Sequence, residues 1–333
     1  MITPIIQFGT SRFLQAHADL FISEAWAGNE AIERITVVHS SGDSGRASCL
    51  AGLTRQGGFE VRVEGLRGGE PVRESVDVTS VARAISAADD QAELHSIFAE
   101  EIDLVLSNTS DAGWAARPAD AAPAFHVSQP LDPAGAVCEP YALWAIEDRP
   151  GLVVPCRHRD VQVVADLQRL EALKLHILNL GHTYLVDRWL VADRSPGQYV
   201  RELMSIPAIV EDLREVYDAE VIPTFALAGF SREVLAYVDT TIDRFSNPFL
   251  NHRLSDIAQN HAEKVRRRIA AFLEWGAQLG IAAPAGSAQP QPVSERRCTV
   301  PTVTKRMPWR LSGTLADRVR PSRAGGREKR HGL

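Results

Sequence analysis

The first hundred residues alternate short apolar runs with polar turns, and the chain then changes character. "PIIQF" (4–8) is apolar and stops at Gly9, the pattern of a buried strand followed by a tight turn. "RFLQAHADLFISEAWA" (12–27) places Phe13, Leu14, Ala18, Phe21, Ile22 and Ala25 at helical spacing, and "ITVVHS" (35–40) reads as a second strand. Strand, glycine, helix and strand in that order make a βαβ unit. "FEVRVEG" (59–65) and "VRESVDVTSV" (72–81) alternate with period two and predict a hairpin. A helix is expected around 90–101. It leads into "IDLVLSNTSDAG" (102–113), an apolar strand that closes in a turn of small polar residues.

Beyond that turn the α/β pattern stops. "AARPADAAPAFHVSQPLDPAG" (115–135) is rich in Ala and Pro without a strand period and reads as a linker, so the sheet is expected to end on the 102–107 strand. From 141 onward the spacing predicts mostly helix, near 164–192, 197–218, 223–238 and 249–280. "AAPAGSAQPQP" (282–292) is low in complexity, and the residues after it lack a hydrophobic period. The expected organisation is an α/β domain over 1–114, a linker over 115–135, a helical domain over 136–282 and a disordered basic tail over 283–333.

Charge sharpens this division. The net charge of −6 combines a tail with 11 Lys/Arg against 3 Asp/Glu from Ser294 onward and a body near −14. An acidic body argues against nucleic acid as a partner. Cys49, Cys138, Cys156 and Cys298 are scattered without a CxxC pair, so neither a disulfide frame nor a zinc site is expected. "MITPIIQFG" has neither the basic start nor the long apolar core of a signal peptide, and no run reaches membrane-spanning length. The expected setting is cytoplasmic, with no membrane partner.

The densest chemistry lies in "LKLHILNLGHTYLVDRW" (173–189). On an ideal α-helix Asn179 falls about 140° and His182 about 80° from Lys174, which puts the three on one side; His176, at about 200°, is a weaker member. Leu175, Ile177, Leu178, Leu180 and Leu185 spread around the remainder, so the helix is expected to be buried on most sides. Gly181 within it implies a close backbone approach. A lysine among apolar neighbours suits proton transfer, and Asn and His suit hydrogen bonding to a hydroxyl or alkoxide. Such a set fits metal-free oxidation of a secondary alcohol with a nicotinamide taking the hydride. It equally fits a buried helix whose polar groups meet nearby carbonyls.

"FGTSRFLQAH" offers a helix start after a strand, where free N–H groups can bind pyrophosphate. A full GxGxxG motif would need glycine at Ser11 and Leu14. No acid stands at the end of the second strand. His39, Ser40 and Ser41 are there, with Asp43 and Arg46 just after, so NAD and NADP both remain open.

Together these stretches resemble the mannitol dehydrogenase family of polyol and sugar-acid dehydrogenases, which includes mannitol, fructuronate (mannonate) and tagaturonate (altronate) oxidoreductases. "IIQFGTSRFLQAHADLF" is similar to its cofactor turn, and "SNTSDAG" to its turn beside the nicotinamide. "LKLHILNLGHTYL" carries its K-x4-N-x2-H pattern, and "RFSNPFLNHRLSDIAQNHAEKVRRRI" (244–269) its RFxNP segment, leaning to the sugar-acid branch. The resemblance implies a Rossmann-type N-terminal domain with an incomplete sheet, a mainly helical C-terminal domain and a site in the cleft. It also implies Lys174 as general base with Asn179 and His182 polarising the reacting oxygen. Gly9, Thr10, Ser11, Arg12, Phe13 and Leu14 would line the pyrophosphate of NAD (or NADP), Asn108 and Thr109 the nicotinamide, and Arg244 and His252 the polyol or sugar-acid substrate. No metal is implied. Between "SNTSDAG" and "EPYALWAIE" (139–147) the family carries a long segment with further strands where this chain has only the Ala/Pro stretch, and the basic tail replaces the family's closing helix. The alternative expectation is therefore an inactive or damaged remnant that retains at most nucleotide binding.

Overall fold

A computed structural model describes residues 3–40, 49–108, 134–192, 195 and 197–281. The chain divides into two compact units, Met1–Gln168 and Arg169–Leu333.

The first unit contains β1 (Ile5–Phe8), β2 (Ile35–His39), β3 (Phe59–Arg67), β4 (Glu70–Val78), β5 (Val81–Ser86) and β6 (Leu104–Ser107). Four of these form a parallel sheet in the order β5-β2-β1-β6. Both faces of that sheet are covered, as parallel strands require. Ile5, Ile35, Val37 and Leu106 pack with Phe21 and Ile22 of the helical run 12–27 on one face. Ile6, Val38 and Ile85 pack with Ile97 of the Gln91–Glu100 helix on the other. In order of appearance within the sheet, its strands run third, second, first, fourth, which is one half of the doubly wound Rossmann arrangement plus the strand across the switch point. The α/β class holds; β6 is the last strand of this sheet among the described residues, and the expectation that 115–135 adds none falls, but for Ala134 and Gly135, on residues outside them.

The hairpin also forms: β3 and β4 pair antiparallel from Phe59↔Val78 to Arg67↔Glu70, with Phe59, Val61 and Val63 turned inward. Here the sequence reading needs correction. The alternation does not end with the hairpin at 81, because the chain leaves β4 at Val78 and begins a separate strand, β5, that joins the other sheet beside β2. The expected helical character from 141 onward begins later as well. β7 (Ala136–Cys138) pairs with β3, and β8 (Trp144–Glu147) pairs parallel with β9 (Val161–Val164). Strands of three or four residues are too short to display a period, and their partners are distant in sequence. His158 fastens this segment: it stacks on Phe21 with ring centroids 4.8 Å apart and bonds Glu24 at 2.6 Å. Of the expected linker, Ala134 and Gly135 are described. Ala134 lies in the first unit's core and the Gly135 carbonyl accepts a bond from Arg12. The rest of the linker and the basic tail lie outside the described residues.

The second unit is helical and built around the run 168–191. Gln168–Leu173 is α-helix, Lys174–Asn179 is a π turn, and Leu180–Val191 is α-helix again. Ile177, Leu180, Tyr184, Leu185 and Val186 are buried against Leu213, Tyr217, Val221, Phe225, Val234, Phe245 and Leu254 of the surrounding helices. Those helices are Val200–Met204, the run 207–227, Ser231–Ser246, Leu254–Ile257 and the run 261–278. The boundaries differ from the expected 197–218 and 223–238. Pro207 starts a new helix at its first position, and Gly229 (φ +85°) ends the turn after Leu227. No helix among the described residues is long and apolar enough to cross a membrane.

An acidic group is among the polar side chains buried in the first unit. Asp19 is fully buried at the end of the π turn Gln15–Asp19, within 3.4 Å of the Gln7 amide nitrogen, while its Oδ1 and the Gln7 Oε1 have no partner. Burial pushes its carboxyl from 3.8 up to about 7, the Gln7 bond opposing this. The folded state therefore holds a proton that the unfolded chain releases, so Asp19 reduces stability as pH rises from about 4 to about 7. Asp19→Asn should remove a slope of up to about 1.4 kcal/mol per pH unit across that window. Urea titrations at pH 4.5, 5.5 and 7 would show the variant gaining on wild type as pH rises; equal gaps at all three would refute the assignment.

Candidate active site

In the second unit the site grows from the π turn. The helix starts exposed, at Gln168, Arg169, Glu171 and Lys174, and then enters the core, where 180–187 are buried except for the half-buried His182. Lys174 is thus the last exposed residue of this helix before burial, and the apolar enclosure expected around it is absent. The angular relation changes too. An i→i+5 ladder places residues five apart one turn above another, so Lys174 and Asn179 line up more closely than the 140° of an ideal α-helix.

A widened turn leaves its carbonyls in need of donors, and the surrounding helices supply them. The Tyr217 hydroxyl donates to the Ile177 carbonyl at 2.9 Å in a buried bond. The Asn179 carbonyl accepts from the Thr183 hydroxyl at 2.9 Å and from Arg268 Nη1 at 3.3 Å. Gly181 sits where Tyr217 and Phe245 press against the helix; a Cβ there would collide with the tyrosine oxygen and the phenylalanine ring. The close approach read from the sequence is present.

His182 lies beside two residues of the RFxNP segment. Its ring centroid is 4.5 Å from that of Phe245 and 4.8 Å from that of His252, which meets it edge-on. Burial first, and then the charges of His252, Arg244, Arg268 and Lys264, hold His182 well below its ordinary value. It is therefore neutral near pH 7, able to donate from one ring nitrogen and accept at the other. Lys264 donates to the Ile257 carbonyl at 2.7 Å, and burial with the neighbouring Arg268 lowers its affinity for a proton. The structure thus gathers His182, His252 and Arg244 into one electropositive cluster. The sequence reading missed Phe245, Lys264 and Arg268. The signal available was spacing: Lys264 and Arg268 are four apart and half-buried, whereas Arg266 and Arg267 between them are exposed.

In the first unit the residues expected at the cofactor occupy the carboxyl ends of β1 and β6. Phe8 is in register with Ser107, so Gly9 and Asn108 emerge from adjacent strands. Gly9 has φ +106°, a conformation that side chains strain to adopt, and a Cβ there would meet only Leu14 at 4.0 Å, so the space above it is open. The Gly9 N–H donates to the Val38 carbonyl at 2.9 Å. Ser11 caps the helix, its hydroxyl accepting from the Leu14 N–H at 3.2 Å, and Thr10 lies in the turn between. The Arg12 side chain is directed to the Gly135 carbonyl, and Phe13 is exposed, stacked on His17. Asn108 is exposed at the end of β6, while Thr109 lies outside the described residues, as do Ser41, Asp43 and Arg46.

Residues 166–284, which hold Lys174, Asn179, His182, Arg244 and His252, match the family described as mannitol dehydrogenase C-terminal domain. Altronate oxidoreductase of Bacillus subtilis (strain 168) is 32% identical over 149 residues, 43% of this chain and 30% of that protein. D-mannonate oxidoreductase of Escherichia coli (strain K12) is 30% identical over 141 residues, 41% of this chain and 28% of that protein. The chain's matches span about 30% of the length of these curated relatives. Among solved structures, Pseudomonas fluorescens mannitol 2-dehydrogenase, a ternary complex with NAD and D-mannitol, aligns with TM-score 0.58 at 16% identity, over 84% of this chain and 78% of that one. D-sorbitol dehydrogenase in substrate-free form aligns with TM-score 0.64 at 14% identity, over 82% and 76%. At these identities the likeness is one of fold. The sequence likeness is to altronate and mannonate oxidoreductases over part of the chain, and the fold likeness is to sorbitol and mannitol dehydrogenases. Residues 166–284 of the helical unit are thus similar to the C-terminal domain of the mannitol dehydrogenase family.

The tight seat of Gly181 gives a direct check. Gly181→Ala should destabilise the protein by about 1–3 kcal/mol, the usual cost of overpacking a core. Guanidinium unfolding followed by far-UV circular dichroism measures it; a loss below half a kcal/mol would show that Tyr217 and Phe245 do not press on this position.

Proposed function

We propose that this chain is an NAD-linked oxidoreductase acting on a secondary alcohol of a polyol or sugar acid, without metal, with Lys174 as the base. The observation that carries the reading is the arrangement of the second unit: a neutral His182 ringed by His252, Arg244, Lys264 and Arg268, one turn beyond the π turn that bears Lys174 and Asn179. When bound, the nicotinamide supplies the hydride acceptor in one direction and the donor in the other. The remaining work falls to side chains. Lys174 Nζ takes the hydroxyl proton, and Asn179 and the imidazole N–H of His182 donate to the same oxygen as negative charge develops on it. The cations around His182 favour that charge and would also suit a substrate carboxylate, with Arg244 and His252 as its contacts. Gly9 through Leu14 fit a dinucleotide pyrophosphate, because an open glycine turn at positive φ precedes a helix start at the carboxyl end of β1. Asn108, and Thr109 after it, would stand on the nicotinamide side. The choice between NAD and NADP follows from residues after β2.

A second reading, a chain that binds nucleotide without turnover, is favoured by one observation: Lys174 is exposed, without the apolar enclosure expected around it. Two variants separate the readings. Lys174→Ala should lower turnover on a polyol and sugar-acid panel by roughly 10²–10⁴-fold while NADH affinity, read by fluorescence, stays within twofold. Turnover unchanged in that variant would remove Lys174 as base, and wild-type NADH binding without turnover on any panel member would favour the second reading. Gly9→Val should weaken NADH binding at least tenfold, about 1.4 kcal/mol, in a protein of native circular dichroism. Unchanged affinity there would move the pyrophosphate elsewhere.

A further inference from the structure

The second unit contains two π turns that grip each other. In the first, Lys174–Asn179, the His176 ring donates from Nδ1 to the carbonyl of Arg268 at 3.3 Å. In the second, Arg266–Ala270, the Arg268 guanidinium reaches back and donates through Nη1 to the Asn179 carbonyl at 3.3 Å and the Thr183 hydroxyl at 3.1 Å. The Thr183 hydroxyl donates in turn to the same Asn179 carbonyl at 2.9 Å, which closes a three-membered ring of bonds. His176 is itself fixed, stacked on Trp275 and tilted against Phe272. The Asn179 backbone is therefore held from a helix more than eighty residues away in sequence, by a charged donor rather than by its own helix alone.

We propose that Arg268 is a positioning residue of this site: it pins the end of the first π turn, and so the seat of Asn179, and sets its positive charge against His182. This rests on the oxidoreductase reading only for its catalytic meaning, since the clasp and the charge belong to the folded unit. The groups that face His182 are Arg244 and Phe245 from the Ser231–Ser246 helix, His252 from the segment before Leu254, Lys264 from the His261–Val265 helix, and Arg268 from the second π turn. Arg268 also bonds the turn carrying Asn179. Two effects of one side chain follow, and they can be taken apart. Its charge disfavours a proton on His182, while its hydrogen bonds keep the widened turn from opening.

The test uses the full chain labelled at histidine for NMR, with the His182 resonance assigned by its loss in His182→Gln, together with hydrogen exchange over 174–183. Arg268→Met removes charge and clasp. The His182 titration midpoint should move up, exchange over 174–183 should quicken at least tenfold, and in an active enzyme kcat should fall about tenfold with KM for NADH unchanged. Thr183→Val breaks the ring of bonds but leaves the charge, so exchange should quicken while the His182 midpoint stays where it is. Arg268→Lys keeps the charge on a different stem, so it should restore the midpoint but not full protection. A midpoint and exchange pattern in Arg268→Met identical to wild type would overturn the proposal. If Arg268→Met fails to fold, the Lys and Val variants decide alone, and unchanged exchange in both overturns it. A wild-type protein without turnover would sink the oxidoreductase reading yet leave these NMR and exchange outcomes intact, so the two failures are distinguishable.

Discussion

The second unit depends on one constraint: a helix that crosses a hydrophobic core while carrying a widened turn must find donors for the carbonyls that turn displaces. In water this would cost little. Inside a core an unmatched carbonyl costs on the order of 1–3 kcal/mol. The run 168–191 meets the constraint with Tyr217 on Ile177 and with Thr183 and Arg268 on Asn179. Each donor comes with a packing consequence. Tyr217 must lie close enough to bond, which leaves room only for glycine at 181, and Arg268 must be drawn inward, which brings a cation toward His182.

Structure and chemistry are therefore the same arrangement seen from two sides. The residues that satisfy the backbone also set the electrostatics. Burial is the largest influence disfavouring a proton on His182, and the four cationic or ionisable neighbours add to it. A neutral imidazole keeps one N–H to donate, and the same neighbours surround it with positive charge. In the first unit the corresponding economy lies in β1 and β6: their shared register brings Gly9 and Asn108 out side by side at the carboxyl ends, where open α/β sheets bind ligands.

Much of this was legible in the chain. The run Ile5, Ile6 before Gly9, the helical spacing from Phe13 to Ala25 and the alternation over 59–65 produce the strand, helix and hairpin observed. The leucines around 173–185 announce a buried helix, and Gly181 announces the close approach. What escaped the reading was short or distant. β5 continues the hairpin's alternation without a break in pattern, and β7, β8 and β9 are three or four residues long, so each gains its identity from a partner far away. Lys174 looked enclosed because its neighbours in sequence are leucines; in the structure Leu173 turns into the core while Lys174 itself is exposed.

By itself the sequence determined the first two strands, the hairpin and the central helix, and which polar groups accompany that helix, because periodicity and the cost of burying charge are local or nearly so. The tertiary structure decided three other matters: that the helix widens between Lys174 and Asn179, that Phe245, His252 and Lys264 close on His182, and that Arg268 clasps the turn. The reason is physical. A π turn is stabilised by what packs against it, and a guanidinium is drawn into a core only where a carbonyl and a hydroxyl await it. Neither condition is written at positions 174–182; both are met by residues 217, 245 and 268, which only folding brings there.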